Sequence, residues 1–376
     1  MRYILGIDIG TTAIKGAVIG EDGKIYGTKT SEYPLTTLPT GEVEADLQLY
    51  INAFTQSIKG AVEDAKVDVA DIKCVGFSST AETCVFLDKY NEPLCKVIAW
   101  MDTRATKEAE YLTAHFDKKD IINKVGFDGI YAIHPVSKIL AVKNKNPEIF
   151  EKTRMFAQIK DYFIYRLTGE YYTDHSTASD HGFFDITNRC YWNEMLEFTG
   201  IKEEYLPKLV EPGTELGTIS REAALEFGLN PETKINVGAF DQGCGAIGAG
   251  NTKPGIASES TGSALVTVAT IDALNPDSQG DVPTLCSGIP GKYMYQPYCT
   301  GSIIMKWYRD IFCEAEKMVE EQTGLNAYTQ MDEMVKATPA GADGLIMLPY
   351  FQGSGIPELN EKAEGVYYGI NAGHTR

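Results

Sequence analysis

Residues 3–15 constrain the fold more tightly than any other stretch of this chain. An apolar run from Tyr3 to Ile9 carries Asp8 and ends in Gly10, Thr11 and Thr12, after which apolar and polar residues alternate through Lys15. The spacing predicts a strand, a tight turn and a second strand. Backbone N–H groups and threonine hydroxyls at such a turn can surround phosphate oxygens, and an aspartate beside them can hold a hydrated divalent cation. The same residues also suit a plain hairpin in which Asp-x-Gly only makes the bend, and turn chemistry alone leaves both readings standing.

The next residues extend the pattern. Ala17-Val-Ile-Gly20 can meet Ile25-Tyr-Gly-Thr28 across the turn Glu21-Asp-Gly-Lys24, which predicts three antiparallel strands in succession. A helix is expected over roughly 45–63, where Leu47, Tyr50, Ile51, Phe54 and Ile58 keep the spacing of one buried face. Strands are expected at Ile72–Phe77, Cys84–Asp88 and Val97–Trp100, and a polar, helix-like segment from Thr103. This α/β order resembles a ribonuclease-H-like sheet, the unit that actin-type ATPases and sugar kinases use twice. A second copy reads more faintly: Ile235–Phe240 runs as a strand into Asp241, a small-residue helix follows, and Ile256–Val268 reads as a hairpin around Ser260, Thr261, Gly262 and Ser263. The expected domains are 1–245 and 246–376, joined by a hinge near Gly245 rather than a tether.

Composition narrows the function. With 376 residues and 43% hydrophobic content the chain can fill two cores. Its 34 basic and 52 acidic residues, net charge −18, argue against nucleic acid or an anionic membrane as the main partner. Small neutral or metal-chelated ligands are the easier partners. Eight dispersed cysteines without a C-x-x-C pair fit reduced thiols. No signal-peptide pattern and no apolar run of membrane-spanning length occur, so the expected location is cytoplasmic.

Six motifs in order carry a resemblance over nearly the whole chain: Asp8-Ile-Gly-Thr-Thr12; Trp100-Met-Asp-Thr-Arg104; Lys160 to Glu170 with Thr173-Asp174 and Ser176-x-Ala178-Ser179; Gly238-Ala-Phe-Asp241-Gln242; Ser260-Thr-Gly-Ser263; and Leu348-Pro-Tyr350. The chain resembles the FGGY carbohydrate kinases, the family of xylulose, glycerol, ribulose, glucono- and related sugar kinases. That resemblance implies two ribonuclease-H-like, actin-like domains around a cleft. It also implies transfer of the γ-phosphate of Mg·ATP to a sugar or polyol hydroxyl. By the family pattern Asp241 would be the general base and Asp8 would position Mg²⁺ through water. Gly10, Thr11 and Thr12 would bind phosphates, and Thr261, Gly262 and Ser263 would form a second phosphate loop. Glu82, Thr83, Trp100, Asp102 and Gln242 would contact the substrate. Without the resemblance, Asp241 reads first as a helix cap, Trp100 as core and Glu82 as an exposed loop carboxylate.

The acceptor stays open. Glu82 with Thr83, and Gln242 after Asp241, are similar to glycerol kinases, whereas Asp102, Arg104 and the Lys160–Glu170 block resemble pentulose kinases. A xylulose-type ketose is the leading expectation and a short polyol such as glycerol the alternative. The family pattern also implies a long connecting helix and a glycine-rich adenine loop that these residues do not contain. The expectation is therefore an incomplete second domain without an adenosine site, which raises the further alternative of a sugar-binding pseudokinase. A homodimer is compatible with the sequence and not required by it. Two other motifs compete. Gly243-Cys-Gly245-Ala-Ile-Gly248 matches G-x-G-x-x-G, but only a short helix can follow before Ile256, so the glycines read as close helix–sheet packing rather than a dinucleotide turn. His175 and His181 lack metal-site spacing and read as loop polarity.

Overall fold

The computed structural model describes residues 1–261, 264–275, 280, 282–301, 303–351, 354, 360 and 363–374. The chain divides into two compact units, one of Met1–Ile256 with Ala269–Tyr295, the other of Ala257–Val268 with Gln296–Arg376. Gly245 thus lies inside the first unit, which continues to Ile256 and takes a later segment back.

A six-stranded sheet centres the first unit. β1 (Tyr3–Ile9), β2 (Ala13–Gly20) and β3 (Ile25–Glu32) form the antiparallel meander. β4 (Ile72–Ser79) runs parallel to β1, and β5 (Glu215–Thr218) and β6 (Lys234–Phe240) extend that side, giving the order β5-β6-β4-β1-β2-β3. Alternation along β1 decides the two faces. Leu5, Ile7 and Ile9 are buried in one core with Tyr50, Phe54 and Ile58 of helix α1 (Leu47–Ala65). Asp8 therefore falls on the opposite face. β3 and α1 touch so closely that a Cβ on Gly27 would stand 2.2 Å from the Ala65 nitrogen, which only glycine permits. Helices α2 (Pro135–Lys145) and α3 (Ile159–Thr168) belong to the same unit. In its core the Phe54 ring stacks on Phe163 of α3 at 4.0 Å and meets Phe227 edge-on at 5.3 Å.

A second sheet, in the order Thr36–Thr37, Val43–Ala45, Val97–Ile98, Cys84–Leu87, Met155–Gln158, carries the loops that follow β4 and Ile98. The strand expected to reach Trp100 stops at Ile98 because the Ala99 and Trp100 carbonyls turn to the Lys138 ammonium instead of a ladder partner.

β6 ends in a bulge. Gly238 has φ +68°, a Cβ there would lie 1.8 Å from the Phe77 carbonyl oxygen, and the pairing register with β4 breaks between Asn236 and Ala239. Bulges re-aim the end of a strand, and this one delivers Asp241 as the first residue of α4 (Asp241–Gly248). Of the three motif glycines only Gly243 packs closely, against Gly288; Gly245 and Gly248 face open space, so the close packing expected of them is not made. An eight-residue helix is also too short for a dinucleotide crossover.

In the second unit, β7 (Ala257–Thr261) precedes the first residues of β8 (Ala264–Ile271), which pair antiparallel with Tyr298–Thr300; from Ala269 on, β8 belongs to the first unit. Helices Ile303–Phe312, Glu314–Thr323 and Ala327–Ala337 follow, with a hairpin of Ile346–Leu348 and Val366–Tyr368. No described helix is long and apolar enough to cross a membrane, and all eight cysteines are free thiols.

Candidate active site

The register of the central sheet builds the first part of the site. Asp8 of β1 lies opposite Lys15 of β2 and Ser78 of β4. Period-two alternation puts all three side chains on one face. The Ser78 hydroxyl donates to Asp8 Oδ1 at 2.9 Å and Lys15 Nζ to Oδ2 at 3.2 Å. Small neighbours, Gly6, Ala17, Gly76 and Gly238, leave an open trough of about 360 Å³ beside the carboxylate.

The Gly10–Thr12 turn is strapped from several sides. Gly10 N–H donates to the Ala13 carbonyl at 3.1 Å, Tyr33 N–H to the Thr12 carbonyl at 3.0 Å, and the Tyr33 hydroxyl to the Gly10 carbonyl. The Trp100 indole N–H donates to the Thr11 hydroxyl at 2.9 Å.

Asp241 heads α4 and is not its cap, a position held by Phe240. Its approach is set by a buried ionic scaffold. Lys160 bonds Asp174 and the Thr177 hydroxyl, with both ionic side chains fully buried. Asp174 caps the turn His175–Ala178, and Ser176 within that turn accepts the Phe240 N–H at 3.0 Å. Burial alone would raise the Asp174 pKa, but Lys160 and the hydroxyl donors hold it below the usual range. Asp241 is the reverse: burial first, then the Asp8 charge, push its carboxyl up to about 7. Its Oδ1 is buried with no hydrogen-bond partner. A carboxyl tuned near neutral pH with one oxygen left unbonded suits a proton acceptor.

Glu82 is buried, contrary to the exposed-loop alternative, and holds φ +63°. A left-handed backbone at a glutamate costs about 1–3 kcal/mol and persists only where surroundings enforce it. Here the Gln158 side-chain carbonyl accepts Glu82 N–H at 2.7 Å, and Lys138 Nζ of α2 donates to the Glu82 carbonyl at 2.8 Å. The same ammonium donates to the Ala99 and Trp100 carbonyls, each at 2.9 Å, so one buried cation ties the Glu82 and Trp100 loops together. Burial leads in raising the Glu82 carboxyl to about 8; Lys138 opposes and Asp241 adds to the rise. Thr83 is buried beside it, and Trp100 and Gln242 are half-buried.

Asp102 departs from its expected place on the substrate. It is fully buried, accepts Val43 N–H at 2.6 Å, and is gripped by the Arg104 guanidinium, which also reaches Glu44 at 3.0 Å. Its oxygens are already occupied by the protein. His175 and His181 are buried, not loop-polar; burial drives the His181 imidazole down to about 3, leaving it neutral. Among the described residues no group of three or more His, Cys, Asp or Glu is arranged to hold a metal. Thr261 is exposed in the second unit, and Gly262 and Ser263 lie outside the described residues. Sequence reading missed Ser78, Lys138 and Gln158. A lysine inside the apolar stretch Val136–Val142 was the available signal for Lys138.

Residues 3–248 match the model of the FGGY family of carbohydrate kinases, N-terminal domain. This chain belongs to the FGGY family. Its relatives include a xylulose kinase of Bacillus subtilis, 28% identical over 379 residues, and a gluconokinase of the same organism, 28% identical over 381; each alignment covers all of this chain and 73% and 72% of the respective relative. The ligand-bound xylulose kinase from Lactobacillus acidophilus superposes with a TM-score of 0.89 at 26% identity, over 100% of this chain and 74% of that one. The FGGY fold, mixed α/β of the actin-like sugar-kinase type, is thus established for the chain.

Proposed function

We propose that this family member is an ATP-dependent kinase that transfers the γ-phosphate of Mg·ATP to a hydroxyl of a ketose or polyol, with a xylulose-type pentulose as the leading acceptor. The observation that carries the reading is Asp241, buried and unbonded at Oδ1, with a carboxyl raised to about 7. In this scheme Asp241 takes the acceptor hydroxyl proton as that oxygen attacks the γ-phosphorus. The bond from phosphorus to the β,γ-bridging oxygen breaks and its electron pair leaves with ADP.

The Gly10, Thr11 and Thr12 turn is assigned to the triphosphate. Because the indole N–H occupies a lone pair of the Thr11 hydroxyl, its O–H hydrogen stays free to donate to a phosphate oxygen. Thr261, Gly262 and Ser263 are assigned as the second phosphate loop, which gives the first unit the sugar and the first phosphate motif and the second unit the other. Asp8 is assigned to Mg²⁺ through water, since it borders open space and this ion needs only one or two protein carboxylates beside water and phosphate oxygens. When bound, the ion would neutralise phosphate charge.

Glu82 would accept hydrogen bonds from adjacent acceptor hydroxyls, with Thr83, Trp100 and Gln242 around the carbon chain. Asp102 is read here as support for the Trp100 loop. Glu82-Thr83 with Gln242 also favours a second reading, a glycerol or short-polyol kinase. ADP release with Mg·ATP and D-xylulose, L-xylulose, D-ribulose, erythritol, glycerol or gluconate tests both. Fastest turnover on a pentulose supports the first, fastest turnover on glycerol or erythritol the second, and ADP release independent of any acceptor overturns both.

A further inference from the structure

Gln158 ends the strand Met155–Gln158 and is 2% exposed. Its side-chain carbonyl accepts Glu82 N–H at 2.7 Å. A backbone N–H can only donate, so this bond fixes which end of the amide faces Glu82. The amide nitrogen is left at the other end, buried and without a hydrogen-bond partner. His181 is a second buried side chain of this kind: it is 2% exposed and neither ring nitrogen has a partner. Its ring packs on Phe183, centroids 4.9 Å apart.

Gln158 and His181 line one small cavity inside the first unit. Its volume of about 10 Å³ is that of a single water site. Cys84, Ile139, Phe156 and Phe183, all buried, form other parts of the wall. Apolar walls alone would keep such a space dry, whereas a water with two or more polar partners is stable there. Gln158 offers an N–H. Burial keeps the His181 imidazole neutral, with one N–H and one lone-pair nitrogen. A buried polar group left unbonded is costly, and one water relieves both. The Cys84 thiol reaches the Glu82 carbonyl at 3.5 Å, so the cavity adjoins Glu82 through a second residue.

We propose that this cavity is an internal water site, in which one water accepts an N–H of Gln158 and donates to a ring nitrogen of His181, making His181 a positioning residue that holds Glu82 through Gln158. The strained Glu82 backbone, at φ +63°, is what the relay steadies. Its consequence for the acceptor rests on the kinase reading, in which Glu82 meets that molecule.

A crystal structure of the wild-type chain, at a resolution that shows ordered water, tests the site without any substrate. One density peak within hydrogen-bond distance of both Gln158 Nε2 and a His181 nitrogen is expected; an empty cavity, or a peak touching only one of the two residues, overturns the proposal. The relay is tested with His181→Phe, which keeps a ring and loses both nitrogens, beside His181→Asn and His181→Gln, which keep polar atoms and lose the ring. Hydrogen exchange reads the Glu82 amide, and ADP release with D-xylulose and with glycerol reads the acceptor KM. In His181→Phe the Glu82 amide should exchange about tenfold faster, the scale of one lost hydrogen bond. The acceptor KM should rise by a similar factor while kcat and the KM for ATP stay close to wild type. The better of the two amide variants should recover part of both effects. Exchange in His181→Phe equal to wild type, with the amide variants worse, is the pattern of a residue that only packs on Phe183 and overturns the relay. Faster exchange with an unmoved acceptor KM overturns the positioning role and leaves the kinase reading standing. Faster exchange in His181→Phe, in a protein whose wild type transfers phosphate to no acceptor, sinks the kinase reading and leaves the water relay standing. Should His181→Phe not fold, the wild-type density decides the proposal.

Discussion

The Trp100 indole N–H donates to the Thr11 hydroxyl at 2.9 Å, joining two segments 89 residues apart. One is the turn assigned to phosphate, the other the loop assigned to the acceptor. On those assignments Trp100 is more than a wall for a carbon chain: it orients the hydroxyl assigned to the triphosphate.

A double-mutant cycle measures this link. Trp100→Phe and Thr11→Val should each raise the KM for ATP. Their coupling in kcat/KM should be about 0.5–1.5 kcal/mol, the net scale of one hydrogen bond. Additive effects would show that the contact carries no function.

Asp241 should make the native state less stable as pH rises. Its folded pKa of about 7 lies above the ordinary aspartate value of 3.8, so between those values the native state binds more protons than the unfolded chain, and stability falls with pH across that window. Asp241→Asn removes the loss. Thermal melting should find the variant more stable than wild type at pH 8, by at least about 2 °C, and the difference should vanish below pH 4.

Lys138→Met should damage the site from beneath. Three carbonyls, of Glu82, Ala99 and Trp100, lose one donor group, and each buried unsatisfied group costs about 1–3 kcal/mol. Denaturant titration should register a loss of several kcal/mol, and the folded remainder should bind the acceptor weakly. A loss below about 1 kcal/mol would mean water replaces the ammonium without strain.

The Lys160–Asp174 pair should behave as a unit. Lys160→Met leaves a buried carboxylate alone and should cost about 3–5 kcal/mol, with the Lys160→Met, Asp174→Asn pair costing less than the single change. Because the folded Asp174 pKa is depressed, its contribution is present above the unfolded pKa and disappears as pH falls through the folded one. Urea midpoints from pH 7 down to pH 3 read both effects.

The parts of the fold written in local pattern were legible: alternation in β1 and β2, the stripe of α1, and the strand running into Asp241. Those set by distant partners were not. Asp102 looks like any carboxylate in a polar loop, and only the folded chain shows Val43 and Arg104 occupying it. Lys138 finds its partners 38 to 56 residues away, beyond the reach of any periodicity. His175 and His181 read as loop polarity because burial by tertiary packing leaves no mark on composition. The bulge at Gly238 shows in sequence only as one glycine, yet it aims the end of β6.

The most direct test of the account is acceptor-dependent ADP formation from Mg·ATP by the wild type and by Asp241→Asn, with acceptor binding followed by calorimetry on the same preparations. Asp241→Asn should bind the acceptor within a few fold of wild type while its kcat falls by about 10²–10⁴, the contribution of a general base. Equal turnover by the two proteins, or no turnover by a wild type that binds acceptor and Mg·ATP, would contradict the assignment of Asp241 as the base of a sugar kinase.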